Sequence, residues 1–259
     1  MKRIAIAATA AVAALCFATT GCETAQRASL PLAEHREPRG VFTLAPSGDQ
    51  VVWLTIDDGP SVHTDEMLHL LAEFGATATF FVHTDHITDP DIIEWIAEGG
   101  HNLGHHMPSD RDWSEDNQLT FYHGFLESHC ALARYAGAYA GRYRPPLGQA
   151  NDDTMLPALM DAGFDPHNAY VMASFLPWDA GGATETAVPW INRTLARRYG
   201  NGVGRAAQPG DIVVFHDGPR LARTQNTLHS LSRFLKVSEH RGLTVRALPP
   251  TKVNNSICA

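Results

Sequence analysis

The sequence predicts an α/β domain built on a mostly parallel sheet or barrel. Three observations lead there. Short apolar runs such as Val51–Ile56 and Ile212–Phe215 alternate along the chain with longer segments whose apolar residues recur at helical spacing. Glycines at Gly75, Gly99-Gly100 and Gly163 stop those helical segments. The residues from 50 onward are enough for one such domain, and no internal repeat or low-complexity tract points to a second. A strand followed each time by a helix returns the next strand parallel to the first.

The elements follow in order. Val51–Ile56 is a strand, buried on both faces by its composition. Thr64 opens a helix with Asp65 and Glu66 in its first turn, and Met67, Leu68, Leu71 and Phe74 form its apolar face. Thr79–Val82 is the second strand. Asp89-Pro90-Asp91 starts a helix that turns Ile92, Ile93 and Ile96 inward. Leu119–Tyr135 is a long helix, Arg142–Arg144 a short strand and Asp152–Ala162 a helix. Ala187–Tyr199 is a further helix, Ile212–Phe215 a strand, Thr224–Leu235 a helix and Leu243–Leu248 the last strand. Periodicity does not choose between a barrel and an open doubly wound sheet.

The chain has 259 residues and a formal net charge of −8. Lys2 and Arg3 precede an apolar run, Ile4–Ala18, which is too short and alanine-rich for a membrane span and reads as an export signal. Residues 1–21 are taken as the signal, residues 22–49 as a tether and approach loop, and residues 50–259 as the domain. Gly21-Cys22 is similar to the end of a lipobox, although Thr19 stands where Leu is usual, so lipid attachment at Cys22 and plain cleavage near Ala18 are both open. The expected location is the periplasm or cell surface, with membrane contact only through a lipid on Cys22. Removing Lys2 and Arg3 with no acid leaves −10, which argues against nucleic acid and strongly anionic polymers as partners. Cys130 and Cys258 remain in an oxidising setting, as a disulfide or as two unrelated cysteines. Their spacing is not that of a zinc site.

Five segments carry chemistry. Thr55-Ile56-Asp57-Asp58-Gly59-Pro60 places adjacent carboxylates at a strand end, where like charges call for a cation or an arginine. In His101-Asn102-Leu103-Gly104-His105-His106, followed by Asp110, the last His and the Asp stand four apart, which on a helical turn puts both on one face. Arg142-Tyr143-Arg144-Pro145-Pro146-Leu147-Gly148 is a rigid loop with two arginines. Phe175-Leu176-Pro177-Trp178-Asp179 sets an aromatic beside a carboxylate, and Val214-Phe215-His216-Asp217 brings a His out of a buried strand.

Together these segments resemble, in order, the motifs of the NodB-type polysaccharide deacetylases, carbohydrate esterase family 4: T-F-D-D-G-P, G-H-E-I-G-N-H-T-x-x-H, R-P-P-Y-G, a looser Trp-Asp segment, and L-x-H. The resemblance implies a distorted, incomplete (β/α) barrel and an exported, metal-dependent hydrolase that removes N-acetyl groups from an amino-sugar polymer of peptidoglycan or chitin type. An O-acetyl esterase on xylan-like glycans and an inactive carbohydrate-binding relative are the alternatives. It implies Asp57 as base, His216 as acid, Arg144 pairing with Asp57, and Asp179 behind His216. Leu147 would supply a backbone N–H to the oxyanion, and Trp178 an apolar wall for the acetyl methyl. The metal, zinc with cobalt or manganese as alternatives, would rest on Asp58, His106 and Asp110. Asp110 stands where the family usually has a second histidine. Three arrangements are open: Asp110 ligates, as resemblance to a branch with Asp there favours; it stays outside, leaving two ligands and water; or His105 takes its place.

Overall fold

The computed structural model describes residues 43–44, 49–175, 179, 189–218 and 221–258. The signal, Cys22, most of the tether and Trp178 lie outside them. Strand β1 (Val51–Asp57) runs through the middle of the sheet. It pairs in parallel with β2 (Thr79–Val82) on one side, β5 (Ile212–His216) on the other, and β6 (Thr244–Arg246) at its start. Beyond β2 come β3 (Asn102–His105) and β4 (Tyr139–Tyr143), also parallel. The crossovers carry α1 (Thr64–Glu73), α2 (Asp91–Glu98), α3 (Gln118–Ala133), α4 (Asp152–Asp161) with the short α5 (Pro166–Ala169), α6 (Pro189–Ala206) and α7 (Leu221–His240).

Alternation along each strand builds two cores. Val52, Leu54 and Ile56 of β1, Phe80 and Val82 of β2, and Val213 and Phe215 of β5 belong to the large core that also holds the helices' apolar residues. Phe81, Ile212, Val171 and Leu248, with Trp53 packed against them, form a small separate core. Thr55 and Asp57 share the face of Trp53, so the small core leads along β1 to the carboxylate of Asp57. Between β4 and β5 the segment 170–174 spans the gap without forming a strand. Val171 N–H donates to the Tyr143 carbonyl at 2.8 Å, and Ser174 N–H donates to the Ile212 carbonyl at 2.7 Å. The sheet therefore curls towards a barrel and stays incomplete.

Several elements differ from the sequence reading, two of them for a reason the packing shows. Asn102–His105 is a strand, hidden in the sequence by its polar and glycine residues. Gly104 is required there, because a Cβ would stand 2.6 Å from the Phe81 ring. Helix α6 runs on to Ala206, through Gly200 and Gly204, where it meets α7. A Cβ at Gly200 would lie 2.1 Å from the Ser230 carbonyl oxygen, so the glycines let the two helices approach. Cys130 and Cys258 are joined in a disulfide that fastens the C-terminal 3-10 turn Asn255–Cys258 to α3. Among the described residues no helix is long and apolar enough to cross a membrane.

Candidate active site

The C-terminal ends of neighbouring parallel strands bring the candidate residues together, the place where such sheets carry their sites. Asp57 ends β1 and is in register with His216, which ends β5. Asp58, Met107 and Leu147 are the described non-glycine residues with positive φ, at 71°, 62° and 57°. All three lie in loops that follow strands at this rim. Left-handed backbone at bulky residues is costly and collects at functional sites.

Asp57 is buried, and Arg144 Nη1 donates to its Oδ1 at 2.7 Å. The same Nη1 reaches Thr55 Oγ1 at 2.7 Å, Nε donates to the Val171 carbonyl at 3.1 Å, and the guanidinium lies over the Phe81 ring. The arginine is thus locked before it meets the carboxylate. His216 is held by Asp179, whose Oδ1 accepts from its Nδ1 at 2.9 Å while Oδ2 accepts from its backbone N–H at 2.9 Å and from Thr227 Oγ1 at 2.7 Å. Burial alone would lower the His216 pKa. The attraction and hydrogen bond of Asp179, with the carboxylates of Asp58 and Asp57, outweigh it and push the imidazole up to about 10. Burial would raise Asp179, but its bonds to His216 and Thr227 hold it below the usual carboxylate range.

Asp58 points away from this pair towards two histidines. Its Oδ1 lies 3.5 Å from His106 Nε2 and 3.6 Å from His83 Nε2. These three residues have ligand atoms within 4.8 Å of one another. The two rings stack with centroids 4.5 Å apart. The chemistry of the set fits a divalent cation. His106 Nδ1–H donates to the Arg144 carbonyl at 2.7 Å, and His83 Nδ1 faces the Met107 carbonyl at 3.4 Å. Both tautomers therefore leave the Nε2 lone pairs facing Asp58. His83 Nε2 is buried and has no hydrogen-bond partner among the described residues, an atom that a cation would satisfy. His86 Nδ1 lies 2.7 Å from the Asp58 carbonyl oxygen and steadies the left-handed residue from behind.

Asp110, expected as the third ligand, does not fall within this group, and His83 stands there in its place. The spacing from His106 to Asp110 brings two side chains together only on a helical turn. Here Met107 takes positive φ, Pro108 follows, and the chain runs through bends. Asp110 is exposed. Its loop is held elsewhere, by the Arg111–Asp116 pair at 2.6 Å and by Arg111 stacked on Trp113. His105 is not a substitute ligand either. Its Nε2 meets the Phe125 carbonyl at 2.8 Å and its Nδ1 accepts from Met107 N–H at 3.1 Å, so both nitrogens are used. Burial pushes it down to about 3. His101 is structural: Nδ1 accepts from Ala78 N–H at 3.1 Å. His83, which the sequence reading passed over, follows Phe80-Phe81-Val82. A histidine leaving a buried strand next to β1 was the signal that could have found it.

The model of the family described as polysaccharide deacetylase matches residues 45–167. A chitooligosaccharide deacetylase of Rhizobium leguminosarum bv. trifolii is 30% identical over 80% of this chain and 94% of its own. The chain belongs to the polysaccharide deacetylase family. A peptidoglycan-N-acetylglucosamine deacetylase of Bacillus cereus is 27% identical over 84% of this chain and 97% of its own. The fold is shared with the solved Bc1960 peptidoglycan N-acetylglucosamine deacetylase, at TM-score 0.67 and 21% identity over 82% of this chain and 94% of that one. The incomplete barrel is thus the NodB type.

Proposed function

We propose that this family member is an exported, metal-dependent hydrolase that removes N-acetyl groups from an amino-sugar polymer or oligomer. The observation that carries the reading is the pairing of Asp57 and His216 across β1 and β5, each held by its own partner. Arg144 keeps Asp57 as an acceptor, and Asp179 keeps His216 as a donor. A carboxylate oxygen fixed by an arginine and an imidazole N–H fixed by a carboxylate, side by side at two strand ends, are placed as a base and an acid.

Asp58, His83 and His106 would hold the metal, and two imidazoles with one carboxylate suit zinc, with cobalt or manganese tolerated. A divalent cation bound there polarises a carbonyl and makes water more acidic. Asp57 takes the proton of the attacking water as its oxygen bonds to the acetyl carbon. The Leu147 N–H, at the left-handed turn after β4, hydrogen-bonds the carbonyl oxygen as charge builds on it. His216 gives its proton to the sugar nitrogen as the C–N bond breaks, and acetate leaves. Trp178 is proposed to wall the acetyl methyl. The Rhizobium and Bacillus relatives, named for chitooligosaccharide and peptidoglycan-N-acetylglucosamine, support the substrate class. Lys2, Arg3 and the apolar run after them support export, with Cys22 as the proposed lipid site.

The test is acetate release from N-acetylglucosamine oligomers, compared with acetylated xylan, with zinc, cobalt or manganese added. Release from the oligomers is expected. Asp57→Asn should keep metal and lose most turnover, and Asp58→Asn should lose metal. Preference for xylan, or an Asp57→Asn protein that no longer binds metal, would overturn the assignment.

A further inference from the structure

Asp217 follows His216 in sequence but turns away from it. Its backbone N–H donates to the Asp57 carbonyl at 2.8 Å, and its carboxyl is fully buried beneath the turn that leaves β1. Ser61 Oγ donates to Oδ1, and Thr64 Oγ1 is in hydrogen-bond contact with Oδ2. A Cβ on Gly59 would stand 2.8 Å from Oδ2, so the glycine is what admits the carboxyl.

The protons around it can be counted. The Thr64 hydroxyl accepts from Ser61 N–H at 2.8 Å and stands 2.9 Å from the Ser61 carbonyl oxygen. It has one proton to give. The Ser61 carbonyl also accepts from Thr64 N–H at 3.2 Å, but with Asp217 ionised one hydroxyl proton would still have to serve two oxygen–oxygen contacts, to that carbonyl and to Oδ2, and one of them would set lone pair against lone pair. Ser61 Oγ cannot help, because its own proton goes to Oδ1 while it accepts from His63 N–H at 3.1 Å. A proton on Oδ2 closes the network. Oδ2–H donates to Thr64 Oγ1, Thr64 donates to the Ser61 carbonyl, and Ser61 Oγ donates to Oδ1. Among the described residues no lysine or arginine pairs with Asp217. The titratable groups around it are His63 on the turn, Asp57 and Asp58 at the end of β1, and His216 beside it. Burial raises the carboxyl above its ordinary value despite the two hydroxyls.

We propose that Asp217 is held as a neutral carboxylic acid and acts as a positioning residue, fastening turn 59–64 to β5 so that Asp57 and Asp58 keep their separate directions. A neutral acid does this without a third buried negative charge beside two carboxylates. The consequence for metal and turnover rests on the proposed active site. The protonation state does not.

The experiment compares the zinc-loaded wild type with Asp217→Asn and Asp217→Ala at neutral pH. In the infrared difference spectrum between wild type and Asp217→Asn, a protonated-acid C=O band should be lost. Asparagine can repeat the neutral pattern, donating to Thr64 and accepting from Ser61. It should therefore rescue zinc affinity and acetate release to within about 3-fold of wild type, whereas alanine should weaken zinc about 10- to 100-fold. Absence of that band in wild type, or an Asp217→Asn protein as impaired as Asp217→Ala, overturns the proposal. If Asp217→Ala does not fold, the spectrum and Asp217→Asn still decide. Failure of the deacetylase reading would show separately, as no acetate from wild type while the band and zinc comparison stand.

Discussion

Replacing His83 by alanine separates the ligand set proposed from the grouping of Asp58, His83 and His106 from the one the motif resemblance implied. The change deletes one of three donors grouped within 4.8 Å and leaves Asp58 and His106 in place. A structural zinc site with four ligands binds with about 10–16 kcal/mol, or about 2.5–4 kcal/mol for each donor. At about 1.4 kcal/mol per factor of ten, losing His83 should weaken zinc about 100- to 1,000-fold. Asp110→Ala removes an exposed carboxylate outside the group and should change affinity by less than about 3-fold, the scale of a surface substitution within about 0.5 kcal/mol. The assay is calorimetric zinc titration of the metal-stripped proteins, with circular dichroism to confirm that each variant is folded, since His83 is fully buried. Wild-type affinity in a folded His83→Ala protein would refute the reasoning. So would an Asp110→Ala protein that loses as much.

Other outcomes follow from the same geometry. Asp179→Asn removes the largest attraction holding the proton on His216, so the alkaline limb of the kcat/KM profile should move to lower pH; an unmoved limb would count against His216 as the acid. Acid should destabilise the fold before the carboxylates titrate. The His101 pKa drops from 6.5 to about 4 on folding, so its stabilisation is complete above pH 6.5 and lost as pH falls, about 3 kcal/mol at about 1.4 kcal/mol per unit. Urea melts should show about 2 kcal/mol of that loss between pH 7 and 5 and the rest by about pH 4, and a flat profile would contradict it. Reduction of the Cys130–Cys258 bridge, which spans a sequence separation of 128, should cost up to about 5 kcal/mol by the chain-entropy relation; an unchanged melting temperature with reductant would show that the bridge contributes little.

Much of this protein was legible in the sequence, for local reasons. Val51–Ile56 and Ile212–Phe215 are apolar on both faces, and a strand covered on both sides can be little else. Asp65 and Glu66 in a first turn, and Gly75 and Gly163 after their helices, mark ends through backbone chemistry that acts within a few residues, although the cap position falls on His63 and not on Thr64. The pairing of Arg144 with Asp57 and of Asp179 with His216 came from motif resemblance, and the structure shows both contacts. Spacing could not supply what depends on register and loop path. Asn102–His105 is a strand because β2 and β4 flank it, and no local preference of His, Asn and Gly says so. His83 meets Asp58 because β1 and β2 are parallel neighbours that end at the same level. Asp110 misses the site because Met107 turns left-handed before Pro108 and breaks the helical geometry on which a four-residue spacing depends. Residue type and local periodicity determined the elements and most of the chemical inventory. Which side chains meet was decided by the parallel pairing of strand ends, a tertiary fact with no short-range signature.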